Sequence, residues 1–131
     1  RDEAIALGAM YISNHLKKLA AIVCITESGS TPLWMSRSGA SLPIVALSEQ
    51  PKTLARMALF RGVRPLAFEP PNNQSMSYVD QFVVSQVSEL LEIPDDRQVL
   101  LTRGDRLNTP GGTSTLKIVS VQEAKRTADG D

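Results

Sequence analysis

The run Ala21-Ile22-Val23-Cys24-Ile25 constrains this chain more than any other stretch. It is too short for a stable helix, is rich in β-branched residues, and shows no alternation of apolar with polar positions, so a strand built from it must be covered on both faces. A parallel sheet with helices above and below meets that demand. The run leads into Thr26-Glu27-Ser28-Gly29-Ser30-Thr31 and then Pro32, a residue suited to the first turn of a helix. A strand, a turn of hydroxyls and glycine, and a helix start bring backbone N–H groups, hydroxyls and the positive end of a helix dipole to one place, which suits a phosphate. A turn that merely reverses the chain would use the same residues.

On both sides of this unit, strand-like and helix-like segments alternate. Ile5, Ala9, Ile12, Leu16 and Leu19 recur at steps of three and four, which predicts an amphipathic helix over residues 2–19. Gly39 closes a short helix after Pro32, and residues 43–47 form a second buried strand. A helix starting at 48–51 runs through Leu54, Ala55, Ala58 and Leu59 and stops at Gly62. Residues 63–68 make a third strand and 69–75 a loop; Met76, Val79, Phe82, Val83, Val87, Leu90 and Leu91 keep helical steps to about Glu92. Strands at 97–102 and 116–121 have no helix between them, so they should pair antiparallel across residues 105–115. The fold class is therefore α/β: three layers, a mostly parallel five-stranded sheet with helices on both faces, and a final antiparallel hairpin. Residues 1–121 form the domain, and the polar stretch 122–131 is expected to be a flexible tail.

The charge balance removes several classes of partner. Fourteen Lys and Arg face fourteen Asp and Glu, and no basic block could track a polyphosphate backbone or an anionic membrane, so nucleic acid and membrane are not expected partners. The single cysteine excludes an intrachain disulfide, and no apolar stretch approaches the ~20 residues of a membrane span. No signal peptide pattern opens the chain, and a cytoplasmic location is expected. Arg1-Asp2-Glu3, with a helix beginning within two or three residues and no methionine, reads as a cut from a longer polypeptide.

Catalytic machinery is not visible. There is no Gly-x-x-x-x-Gly-Lys-Ser/Thr phosphate loop, no Gly-x-Gly-x-x-Gly fingerprint, no Gly-x-Ser-x-Gly elbow and no cluster of metal ligands, so no catalytic residue and no metal site is named. His15 has no partner at ligand spacing, Ser28 has no base, and Trp34 reads as a core or interface anchor. The other candidate is the stretch Asn108-Thr109-Pro110-Gly111-Gly112-Thr113-Ser114-Thr115, glycine-rich and long for a hairpin, which could admit a ligand close to the backbone or be a plain hairpin tip.

Several of these residues carry a family resemblance. The helix Ala4-Ile5-Ala6-Leu7-Gly8-Ala9-Met10-Tyr11 with Asn14-His15-Leu16, then Ala21-Ile22 leading to Thr26-Glu27-Ser28-Gly29, Pro43-Ile44, Ala58-Leu59-Phe60-Arg61-Gly62-Val63 and Gly104-Asp105, resembles the C-terminal domain of bacterial pyruvate kinase over nearly the whole chain up to about Val121. Glu27 and the Gly-Ala-Met-Tyr helix are more similar to the type answering to sugar monophosphates or AMP than to the type answering to fructose 1,6-bisphosphate. The resemblance implies a regulatory domain whose parent transfers phosphoryl from phosphoenolpyruvate to ADP, using Mg2+ and K+ on a barrel domain absent from this sequence. It implies that Thr26, Glu27, Ser28, Gly29, Ser30 and Thr31 form the loop that grips an effector phosphate, and that Pro110, Gly111, Gly112, Thr113, Ser114 and Thr115 close over the effector. It also implies a homo-oligomer, a dimer through this domain and a tetramer in the parent. One departure stands out: many relatives have arginine where this chain has Ser30, so a charge-assisted phosphate bond is missing unless Arg37 or Lys52 replaces it. The rival functions are a purely structural assembly domain and a free-standing protein that binds a phosphorylated metabolite.

Overall fold

The computed structural model describes residues 2–104 and 113–129. In chain order the elements are α1 (Asp2–His15), β1 (Leu19–Ile25), α2 (Ser30–Ser38), β2 (Ile44–Ser48), α3 (Pro51–Met57), β3 (Val63–Ala67), α4 (Met76–Leu90), β4 (Gln98–Gly104), β5 (Thr113–Ser120) and α5 (Val121–Ala128). One sheet carries all five strands in the order β3-β2-β1-β4-β5, parallel throughout except for the antiparallel β4–β5 pair. The expected class and architecture are those observed.

Strand β1 is central and is covered as its unalternated sequence requires. Ala21, Val23 and Ile25 enter one core with Val79, Val83, Val84 and Val87 of α4 and Val121 and Ala124 of α5. Ile22 and Cys24 enter the other with Ala6, Ala9 and Met10 of α1, Met35 of α2 and Met57 of α3. At about 1.5–3 kcal/mol for each large apolar side chain removed from water, these two cores are the main stabilising term. Pro65 is tolerated in β3 because that strand lies at the sheet edge.

Two local expectations are corrected. Helix α1 turns its small residues Ala6, Ala9 and Ser13 to the sheet and leaves Leu16 exposed, while Leu19 begins β1. The buried face is thus rotated from the expected stripe, because alanines let the helix lie close to the strands, and the Ser13 hydroxyl is satisfied by donating to the Met10 carbonyl at 2.9 Å. The stretch read as a polar tail is largely helix α5. Ser120 caps it by accepting from the Glu123 amide, Ala124 is fully buried, and α5 packs with α4 over the same core. Ser120-Val121-Gln122-Glu123 is a capping-box pattern, the signal that could have announced the helix.

Candidate functional site

Crossovers in opposite directions make a crevice at the carboxyl ends of neighbouring parallel strands. Here β1 continues through α2 to β2 on one side, while its other neighbour, β4, is reached from β3 through α4 on the opposite face. The switch point therefore lies between the carboxyl ends of β1 and β4, where open α/β sheets bind ligands. The turn of residues 26–31 leaves β1 at that point. A second cleft, at the ends of β2 and β3, is lined by Ser48, Phe68, Glu49 and Glu69, and its two carboxylates disfavour an anion.

The turn is held in place by backbone and side-chain bonds from three directions. The Thr26 amide donates to Leu47 O at 2.9 Å, and Thr53 Oγ1 of α3 donates to Glu27 O at 2.6 Å. Gly29 takes φ +82°, its amide donating to Thr26 Oγ1 at 2.9 Å, and the Ser30 amide donates to Ser28 Oγ at 3.2 Å. A hydroxyl that accepts from an amide keeps its own proton to donate, and accepting polarises that O–H bond. Thr26 and Ser28 can each donate to an anion from the start of α2, where the helix dipole adds a partial positive charge. Glu27, Ser28 and Ser30 are half-buried, whereas Thr26, Gly29 and Thr31 are buried.

Neither cation offered in place of the missing arginine is bonded to the turn. Arg37 lies in the last turn of α2, its guanidinium 5.6 Å over the Trp34 ring, and so is committed at the other end of the helix. Lys52 is exposed beside Thr53. A cation that the sequence reading did not name comes nearer: Arg56 Nη2 is 3.5 Å from Thr53 Oγ1, the hydroxyl bonded to the turn.

The other candidate stretch lies partly outside the described residues, which is the case for Asn108, Thr109, Pro110, Gly111 and Gly112. Thr113, Ser114 and Thr115 belong to strand β5, opposite the end of β4, with Gly104 against Thr113 and Arg103 against Thr115. Beside this pairing is a buried ion cluster that sequence reasoning missed. Asp80 of α4, fully buried, accepts from Arg103 Nε at 2.7 Å and Nη2 at 3.0 Å, and pairs with Lys117 Nζ at 2.7 Å. Arg103 also donates to Gly104 O at 3.0 Å. The available signal was an aspartate inside the α4 stripe of Val79, Val83 and Val87, where a charge needs partners. Close by, Cys24 pairs in register with Thr102, and burial pushes its thiol up to about 12 despite a hydrogen bond with Thr102 that acts the other way. It is a neutral core residue at ordinary pH.

Fold and site together define a class: a three-layer α/β domain with a strand, hydroxyl turn and helix unit at its topological switch point. The chain belongs to the pyruvate kinase family, as the C-terminal domain of that enzyme, for the description "Pyruvate kinase, alpha/beta domain" matches residues 3–119. It is 40% identical over 120 residues to the pyruvate kinase of Buchnera aphidicola from Acyrthosiphon pisum, covering 92% of this chain and 25% of that protein. It is 38% identical over 121 residues to pyruvate kinase II of Salmonella typhimurium, with the same coverage, and 31% identical over 120 residues to the pyruvate kinase of Thermotoga maritima. The chain thus spans about a quarter of the length of these curated relatives. Among the described residues no helix is long and apolar enough to cross a membrane, and no three His, Cys, Asp or Glu side chains converge as a metal site would need.

Proposed function

We propose that this domain is the effector-binding and subunit-assembly part of a pyruvate kinase, with the phosphate of a sugar monophosphate or nucleotide held at residues 26–31. The observation that carries this reading is the pair of hydroxyls, Thr26 and Ser28, which accept from the Gly29 and Ser30 amides and keep their protons to donate at the switch point. Phosphoryl transfer from phosphoenolpyruvate to ADP, with its Mg2+ and K+, is assigned to a part of the parent enzyme outside this chain, and no step of it is routed through these residues.

Calorimetric titration with ribose 5-phosphate, glucose 6-phosphate, AMP and fructose 1,6-bisphosphate tests the proposal. Sub-millimolar binding of one of them is expected, and Ser28→Ala should weaken it roughly two- to tenfold, the worth of one hydrogen bond. Silence from all four up to millimolar concentrations would remove the effector role and leave the structural alternative.

The assembly half has its own support. Leu7 and Tyr11 of α1 are 57% and 65% exposed, and Ile118 of the edge strand β5 is 43% exposed. Helix α1 adjoins that strand, since a Cβ on Gly8 would lie 4.0 Å from Leu116 Cδ1. Apolar side chains beside a strand edge that is unpaired among the described residues suit a second copy of the chain. Sedimentation should show a dimer that Ile118→Glu converts to monomer; a wild-type monomer at high micromolar concentration would refute this half.

A further inference from the structure

We infer that Arg56 of α3 is the cation of the phosphate site, an inference that rests on the effector reading of residues 26–31. The only charged side chain among those six residues is Glu27, so the turn by itself offers a dianion neutral donors beside a carboxylate. A cation brought in by another element would offset that carboxylate and add a charge-assisted bond.

Helix α3 presents one face to the turn. Thr53, Arg56 and Met57 stand at spacings of three and four, which places them side by side on a helix. Two of the three reach the turn directly: Thr53 Oγ1 donates to Glu27 O at 2.6 Å, and a Cβ on Gly29 would lie 3.2 Å from Met57 Cγ and 3.5 Å from Thr53 Cγ2. Arg56 sits beside them at the exposed rim, its Nη2 3.5 Å from Thr53 Oγ1. A contact of 3.5 Å and a hydrogen bond of 2.6 Å therefore link its guanidinium to the backbone of the turn, at the residue before Ser28.

The guanidinium is also available. Its contact with Thr53 is longer than an ordinary N–H···O hydrogen bond, so little is lost when it is given up. Among the described residues no carboxylate pairs with Arg56, and the planar group keeps donors for a bidentate grip on phosphate. The other cations are less well placed. Arg37 lies over Trp34 in the last turn of α2. Lys52 precedes Thr53 and is outside the face formed by residues 53, 56 and 57. Arg103 and Lys117 pair with Asp80 of α4, a helix packed on the opposite side of the sheet from Met57. An exposed arginine re-orients about its side-chain torsions within nanoseconds, so Arg56 is free to leave Thr53 for a phosphate on the adjoining Ser28 hydroxyl with α3 unmoved.

The test titrates inorganic phosphate into the 131-residue chain. Arg56→Met should weaken binding about tenfold, the worth of one charge-assisted bond, and Arg56→Lys, which keeps the charge but not the fork, should recover part of the loss. Arg37→Met and Lys52→Met should match wild type. The loss caused by Arg56→Met should persist in a Thr53→Val background, since a group that touches the ligand does not act through that hydroxyl. Phosphate should also slow the labelling of Arg56 by an arginine-specific dicarbonyl reagent, read by mass spectrometry, and leave Arg64, exposed on β3, unaffected. An Arg56→Met chain that binds phosphate as wild type does, a loss that disappears in the Thr53→Val background, or labelling of Arg56 that phosphate does not slow overturns this inference and leaves the effector role standing. A wild type that takes up no phosphate removes both.

Discussion

Replacing Asp80 by alanine is expected to lower the stability of the domain by roughly 3–5 kcal/mol, a large part of the ~5–15 kcal/mol that a domain of this size has. The physical cause is what remains after the substitution. Arg103 and Lys117 approach the same carboxylate oxygen, at 3.0 and 2.7 Å, and without it two cations confront each other where Arg103 is nearly enclosed. A cavity on α4 among valines adds to the loss. Asp80→Asn, which retains an acceptor oxygen, should cost less than half as much. Urea denaturation measures both, and removing Arg103 as well, in Asp80→Ala/Arg103→Met, should recover part of the loss by double-mutant comparison. A deficit below about 1 kcal/mol for Asp80→Ala would mean that the three charges behave as a surface pair.

The second large effect is at Gly29, where conformation and crowding act together. Its φ of +82° costs an alanine about 1–2 kcal/mol, and the new Cβ would lie 3.2 Å from Met57 Cγ and 3.5 Å from Met57 Sδ and Thr53 Cγ2. Met57 is fully buried, so it yields only by disturbing the core beneath α3. Gly29→Ala should therefore destabilise by ~2–3 kcal/mol and, by shifting the amide bonded to Thr26 Oγ1, weaken phosphate binding about tenfold. Gly39 provides the comparison. Its φ is +73° but nothing lies within 4 Å of an added Cβ, so Gly39→Ala should show the conformational cost alone. Equal losses at the two positions would show that Met57 absorbs the added methyl without strain.

Much of the architecture was legible because covering an apolar run leaves few options. The unalternated stretches at 21–25 and 43–47 required a sheet buried on both faces, and a sequence without a helical pattern between the last two strands predicted the antiparallel pair that is observed. Element ends were less legible. Leu16 and Leu19 continue the helical spacing of α1, yet the helix ends at His15, because Leu19 pairs with Gln98 as the start of β1. Helix α5 was missed because its outer face is polar and only Val121 and Ala124 reach the core, though Ser120 and Glu123 carried the cap signal. The turn at 26–31 was found from its hydroxyls and glycine, but which hydroxyl meets which amide was not readable.

Local chemistry along the chain decided the strand and helix inventory, the parallel sheet and the position of a hydroxyl turn after β1, since propensity, periodicity and turn residues act over a few neighbours. Long-range placement decided the rest. Only the folded chain brings Asp80 together with residues 23 and 37 positions away, commits Arg37 to Trp34 instead of the turn, and sets β4 beside β1 so that the turn leaves its strand at a topological switch point. Charge pairing and switch-point geometry depend on distances through space, and those are settled by how the two cores pack against the sheet.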